Sequence, residues 1–414
     1  MTPLFRPFAA YLASPEKAAE VAMPPVSSVT SEQWERLTQE KPNSFLHVMR
    51  SAIDSDGTET VEVPGITDGR ARLDEMISSG VFVPHPEKAY YLHRLASDDV
   101  AKTGVVAEIA VAGIADGRVR RHEATRVETE ERIAVHLREV GAHANPVALT
   151  YRVDRDLAHL VDRLTRGTPV IDFLADDDVQ QTIWIVDEPG DVAALDEALA
   201  KIDRLYITDG HHRCAAAARL AAEEADLSAG FVGVVFPDDE IRLVEYNRCV
   251  LDLGGISEAS VIAALEARMQ VDELHIGWAE EARPKRRGTV SMWMGAKWYR
   301  LILPDAALGD PVAELDVARL QSEVLAPVFG IADPRTDPRL VYVPGTVGMS
   351  GLERRSGAAC FALHPTSPAQ VMAVADAELV MPPKSTWFEP KVHGGLIVKV
   401  DRMFDESGRS PGAV

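Results

Sequence analysis

The chain has 414 residues, 46% of them apolar, which is enough for two or three ordinary cores, and it carries a formal charge of −21. That charge opposes contact with a phosphate backbone, so nucleic acid is excluded as a default partner. No apolar run approaches the ~18 residues of a membrane span, and the opening Met-Thr-Pro-Leu-Phe-Arg-Pro-Phe lacks the order of a signal peptide. A cytoplasmic protein without membrane contact is expected.

Cys214, Cys249 and Cys360 are odd in number and widely spaced. Reduced thiols fit that pattern better than a disulfide scaffold or a thiolate zinc site. The basic cluster Arg283 to Arg287 contains Pro284 and reads as a solvated turn.

In chain order, Phe5-Arg6-Pro7-Phe8 is followed by a Pro24-Pro25 break and a helix whose Thr30 and Gln33 have capping-box spacing, ended by Pro42. Phe45 to Val48 read as a strand and residues 51 to 66 as an acidic loop. Leu73, Met76 and Ile77 then share one helical face, stopped by Gly80. Val81 to Val83, Ala89 to Leu95 and Gly104 to Val111 are strand candidates. Asp116-Gly117 signals a hairpin into Val119, and a charged helix runs on to about Val140 with Ile133, Leu137 and Val140 inward.

Val147 to Tyr151 continue as a strand, and Asp154 caps a helix bearing Leu157, Leu160, Val161 and Leu164. Strands at Val170 to Phe173 and Thr182 to Val186 flank Asp176-Asp177-Asp178. Three consecutive carboxylates cannot all face one ion, so that triplet reads as a solvated loop. A helix from Asp191 leads to the strand Leu205 to Thr208. Further on come strands at Val232 to Phe236 and Ile241 to Leu251 and a helix from Ser257 to Met269. A hairpin turns at Gly295-Ala296, a helix spans Leu315 to Val324, and a mixed C-terminal part includes Phe361 to Leu363, a helix from Pro368, and Leu396 to Val400. The alternation implies an α/β (α+β) layered fold with mixed sheets. Residues 1–270 are expected to form the core domain, 271–404 a smaller mixed part, and 405–414 a disordered tail.

Chemistry concentrates at Asp209-Gly210-His211-His212-Arg213, a tight turn between a strand and an alanine-rich helix. The first N–H groups of a helix lack intrahelical acceptors and the dipole favours negative charge, so an anion such as phosphate suits the turn. Two histidines and an arginine add donors. The bland alternative is that Asp209 merely caps the helix. Arg120-Arg121-His122-Glu123 falls at another strand–helix junction, where a salt-bridged helix start competes with ligand binding. A third cluster is Met381-Pro382-Pro383-Lys384-Ser385-Thr386-Trp387-Phe388-Glu389-Pro390-Lys391. Prolines hold it extended, and Lys384 and Lys391 offer point charges to a phosphorylated ligand. It lacks the glycines of a phosphate-wrapping loop. Nucleophile-elbow, zinc-protease and dinucleotide fingerprints are absent.

These motifs, in this order, resemble a family of uncharacterised prokaryotic proteins known as domain of unknown function ten-fifteen, over about Phe5 to Val400. The Asp-Gly-His-His-Arg segment is also similar to the phosphate loop of the ParB/sulfiredoxin-like superfamily, which includes free-serine kinases, nucleotide-hydrolysing partition proteins and sulfiredoxin. The resemblance implies a ParB/sulfiredoxin-like core and a nucleotide phosphate held around Gly210 to Arg213; ATP or ADP with Mg²⁺ is the expected cofactor. It also implies a separate carboxylate acting as base. Two departures stand out: Val26-Ser27-Ser28 replaces a usual Tyr-Asp pair, and Cys214 replaces an aromatic.

The expected function is a kinase transferring phosphate to a small hydroxylated metabolite, such as a free amino acid like serine. Gly210, His211, His212, Arg213, Arg121, Ser385 and Thr386 would bind phosphate. Glu123 would be the base, Asp209 an alternative base or the Mg²⁺ ligand, and Lys384 a stabiliser of developing charge. The alternatives are a non-catalytic nucleotide switch or metabolite sensor and, more weakly, a metal-dependent hydrolase. Adjacent His211 and His212 do not suit one metal ion.

Overall fold

A computed structural model describes residues 2–25, 31–49, 67–98, 100–226, 229–306, 309–355 and 357–400. The Thr30 cap, Val26-Ser27-Ser28, the loop 51–66 and the tail from 405 lie outside the described residues. The fold is mixed α/β, with helices packed on mixed sheets. The chain divides into two compact units, one of Met1–Arg120, Ala124–Ile241 and Pro390–Val414, the other of Arg121–Glu123 and Arg242–Glu389.

In the first unit a mixed sheet runs, from one edge, through Val119–Arg120, Leu205–Asp209, Val147–Tyr151, Gly230–Pro237, Ala101–Ala110 and Phe82–Ala96. Val147–Tyr151 and Gly230–Pro237 are buried at every position, as befits interior strands with both faces covered. From these strands and the helices packed on them, Leu149, Leu157, Leu195, Leu205 and Ile207 join one apolar core. Asp154 caps Arg155–Leu164 as expected, its Oδ1 accepting the Leu157 N–H at 2.9 Å.

Several expected elements differ. Phe45 to Val48 is a short helix, Leu46–Met49, started by Ser44, whose Oγ and carbonyl accept the Leu46 and His47 N–H groups. Val81 to Val83 and Ala89 to Leu95 merge into one strand, Phe82–Ala96. Its first half pairs on one side only, with Phe8–Ala13, where Pro84 and Pro86 cost no second ladder. The Asp116-Gly117 hairpin is absent. A helical turn, Ala112–Ala115, precedes it, and Val119–Arg120 pairs in parallel with Leu205–Asp209 instead.

The second unit holds a six-stranded sheet ordered Gln270–Leu274, Lys297–Ile302, Thr289–Met294, Ala359–Ala362, Tyr246–Val250, Leu340–Pro344, and a two-stranded ribbon of Arg242–Val244 with Trp387–Glu389. The hairpin turns at Gly295 and Ala296 with φ of +58° and +59°, the primed-turn geometry that matches strand twist. Ile241 to Leu251 is two strands rather than one. The break is Glu245, whose buried carboxylate pairs with Arg283 and whose carbonyl accepts the Gly345 N–H. Leu315 to Val324 winds as α-helix over Asp316–Leu320 and then as a π-turn over Gln321–Leu325.

The expectation of three reduced thiols is overturned by a disulfide between Cys249 and Cys360. These residues face each other across antiparallel strands, a proximity that a separation of 111 residues does not announce in the sequence. Cys214 is buried and unbridged. Thiol titration of the denatured, unreduced protein is therefore expected to find the single thiol of Cys214, and all three cysteines only after reduction. Three thiols without reductant would contradict the bridge.

Candidate functional site

Leu205–Asp209 ends at Gly210, which turns the chain into the helix His211–Glu223 with φ +97°. Glycine suits the turn on two counts. The left-handed backbone disfavours a side chain, and a Cβ would stand 2.8 Å from the Arg213 Nε. Arg213 folds back over the turn: Nη2 donates to Asp209 Oδ2, and Nη1 to the Asn145 side-chain oxygen and, at 2.6 Å, to the Pro146 carbonyl. Lys391 reaches the other Asp209 oxygen at 3.5 Å. The turn thus gathers two permanent cations around one carboxylate at a helix N-terminus.

Burial alone would raise the Asp209 carboxyl, but Lys391 and Arg213, with His211, outweigh it and hold the group below its ordinary range. His211 is buried. His212 Nε2 accepts the Arg126 N–H at 3.0 Å, tying the turn to the start of the helix Val127–Val140. Burial pushes the Cys214 thiol up to about 12, which makes it a packing residue rather than a nucleophile. Of the residues expected to bind phosphate, Gly210, His211, His212 and Arg213 lie in this first unit with Asp209.

Arg121, Glu123, Lys384, Ser385 and Thr386 belong to the second unit. There the Met381 N–H bonds to the His122 carbonyl at 2.9 Å and Thr386 Oγ1 lies 3.5 Å from His122 Nε2, so the Arg121–Glu123 segment and the proline-rich segment are brought together. Arg248, buried and lowered by burial to about 10, donates to the Pro383 and Lys384 carbonyls at 3.0 and 2.9 Å. This clamp holds Lys384 at φ +54°, a strained backbone for a side-chain-bearing residue, with its ammonium 5.7 Å from the centre of the Tyr246 ring. The Ser385 hydroxyl is turned inward onto the Pro382 carbonyl at 2.6 Å. Glu123 is half-buried, and Arg121 is exposed. Burial raises the Tyr246 phenol; Arg248 lowers it and Glu123 raises it further.

Asn145 and Arg248 were not foreseen. Neither carries a motif signal, because each acts through a neighbour distant in sequence. Lys391 was visible as a charge but not as the partner of Asp209. Among the described residues no group of three or more His, Cys, Asp or Glu is placed to hold a metal ion, and no helix is long and apolar enough to cross a membrane. Asp209, committed to two cations, does not fit a preformed Mg²⁺ site.

The profile of the family described as Protein of unknown function (DUF1015) matches residues 5–318. The chain belongs to this family. No curated protein matches it in sequence. Solved structures similar to this DUF1015 protein include a free serine kinase variant in complex with AMP, at 12% identity and TM-score 0.35, covering 69% of this chain and 86% of that one. A conserved hypothetical protein from Pyrococcus furiosus has 16% identity and TM-score 0.33, with coverage of 69% and 90%. SbnI from Staphylococcus aureus, truncated at its C-terminus, has 10% identity and TM-score 0.35, with coverage of 69% and 82%.

The geometry of the turn can be tested by substitution. Gly210→Ala is expected to lower stability by about 1–3 kcal/mol in urea denaturation, through the strained φ and the displaced Arg213. An unchanged midpoint would contradict the close approach. Because the folded-state pKa of Asp209 is depressed, its stabilising contribution is fully present above the ordinary carboxyl value of 3.8 and is lost as pH falls through the lower folded value. The stability difference between wild type and Asp209→Asn should therefore shrink on acidification in that range, and growth of the difference would show the sign to be wrong.

Proposed function

We propose that this protein is a nucleotide-dependent phosphotransferase acting on a hydroxyl of a small metabolite, with a free amino acid such as serine as the acceptor class. The observation that carries the reading is the turn at Gly210. It places the guanidinium of Arg213 and the ammonium of Lys391 at the N-terminus of a 13-residue helix, whose dipole favours an anion. Asp209 holds these cations together when no ligand is bound, so an incoming phosphate finds its counter-charges already placed. Such positioning and charge neutralisation are most of what phosphoryl transfer asks of a protein.

In the transfer, the acceptor oxygen forms its bond to phosphorus as the bond to the nucleotide oxygen breaks, and the hydroxyl proton passes to a carboxylate, the role proposed for Glu123. Lys384 and Arg121 are assigned to the developing charge and Thr386 to orientation. Ser385, whose hydroxyl is bonded within its own segment, supports that segment instead. Mg²⁺ enters this proposal only as an ion accompanying the nucleotide phosphates, and no step depends on a protein site for it.

The second reading, a nucleotide-binding switch without turnover, is favoured by one observation: Asp209, the carboxylate on the turn, is ion-paired and so is not available as a base. Thermal-shift measurements with ATP, ADP and CTP test what both readings share. A nucleotide at a hundred times its dissociation constant should add about 2.7 kcal/mol to the folded state, and the shift should vanish in Arg213→Ala. No shift with any nucleotide would remove both readings. Glu123→Gln then separates them: the phosphotransferase keeps nucleotide binding but loses turnover by about 10²-fold or more.

A further inference from the structure

A cavity of ≈150 Å³, lined by none of the residues assigned above, opens in the first unit between the helix Ser31–Glu40, the Pro24-Pro25 segment and the acidic triplet. Its volume corresponds to roughly five waters, the scale of a free amino acid. Ala22, Pro25 and Leu37 form an apolar wall. The polar lining is of mixed sign: Arg36, Lys41, Asp176, Asp177, Gln33 and His393.

Lys41 pairs with Asp176 at 2.6 Å, and His393 Nε2 stands 3.5 Å from Asp177 Oδ2. A buried chain of polar groups fixes how His393 presents itself. Gln181 Nε2 lies 3.1 Å from His393 Nδ1 and also donates to the Val179 carbonyl, while Gln181 Oε1 lies 2.9 Å from His93 Nε2. The amide is thereby oriented with its NH₂ toward His393, so Nδ1 accepts and Nε2 carries the proton toward Asp177 and the cavity. Burial keeps both His93 and His393 neutral, each lowered to about 4. The Asp177 carboxyl is raised, chiefly by burial and then by Asp176 and Asp178. The partner it has in His393 is a neutral donor and brings no positive charge. The cavity therefore offers the Asp177 carboxylate, whose partner His393 is neutral, beside two cations already held by carboxylates, Lys41 by Asp176 and Arg36 by Glu40 at 3.9 Å; a ligand ammonium would supply the charge that Asp177 lacks, and a ligand carboxylate would share the two cations.

We propose that this cavity is a binding site for an amino-acid-sized zwitterion, its ammonium on Asp177 and its carboxylate on Lys41 and Arg36. The His393 N–H supplies a directional donor at the base of the site. The assignment does not rest on nucleotide binding, and it gives the acidic triplet a role other than that of a solvated loop. Val392 alone separates His393 from Lys391, so chain geometry keeps their Cα atoms within about 7 Å. The floor of this site and the cation of the Asp209 turn are thus on one short stretch.

The test is calorimetric titration of the full chain with each of the twenty free L-amino acids, followed by the N-acetyl and carboxamide forms of the best binder. At least one amino acid is expected to bind, and each single-headed form should lose about tenfold or more, as should Asp177→Asn and Lys41→Met. Arg213→Ala should bind it normally, and Asp177→Asn should keep any nucleotide thermal shift, so a failure here is distinct from failure of the phosphotransferase reading. Absence of binding by all twenty overturns the proposal. Equal binding of a single-headed form, or undiminished binding in both cavity variants, overturns it as well. The analogue series decides the question even if a variant fails to fold.

Discussion

The carboxylate of Asp209 sits between Arg213 and Lys391, and the turn depends on that arrangement. Two cations held this near one another at a helix N-terminus, itself positive, repel unless an anion lies among them. Asp209 supplies the anion from within the chain. It also orients Arg213 over Gly210, where a Cβ would fit only if the guanidinium moved. Glycine, arginine and aspartate are therefore one device, and the lysine completes it from the C-terminal stretch of the first unit.

The second unit solves a related problem differently. Lys384 is presented on a strained backbone because a buried guanidinium grips the two carbonyls of the segment. The cost of burying Arg248 is met by three carbonyl acceptors, counting that of Tyr246, and by the Tyr342 ring. An ion pair would have fixed a side chain; gripping carbonyls fixes the path of the backbone. The hydroxyl of Ser385 adds to the same end.

Local signals were legible in the sequence and long-range ones were not. The strand Val147 to Tyr151, the Asp154 cap, the Gly295-Ala296 hairpin and the strand–turn–helix at Gly210 are each written in a few adjacent residues, and each stands in the structure. The hairpin expected at Asp116-Gly117 failed because a turn sequence cannot say which strand its exit will join. Ile241 to Leu251 looked continuous because hydrophobicity does not register that Glu245 has a buried partner in Arg283. The Cys249–Cys360 bridge was missed for the same reason, since cross-strand neighbours are set by topology. At the turn, the residue types pointed to an anion site, while the bracing by Asn145 and the identity of the distant cation came only with the fold.

The pairing of Asp209 with a lysine 182 residues later also bears on how the protein comes into being. On a ribosome, the strand, the glycine turn and the alanine-rich helix emerge long before Lys391 does. During that interval Asp209 has Arg213 but not its second cation. The turn reaches its final charge balance only when the stretch bearing Lys391 docks. A chain halted before that point would carry every residue of the motif and still lack the finished turn.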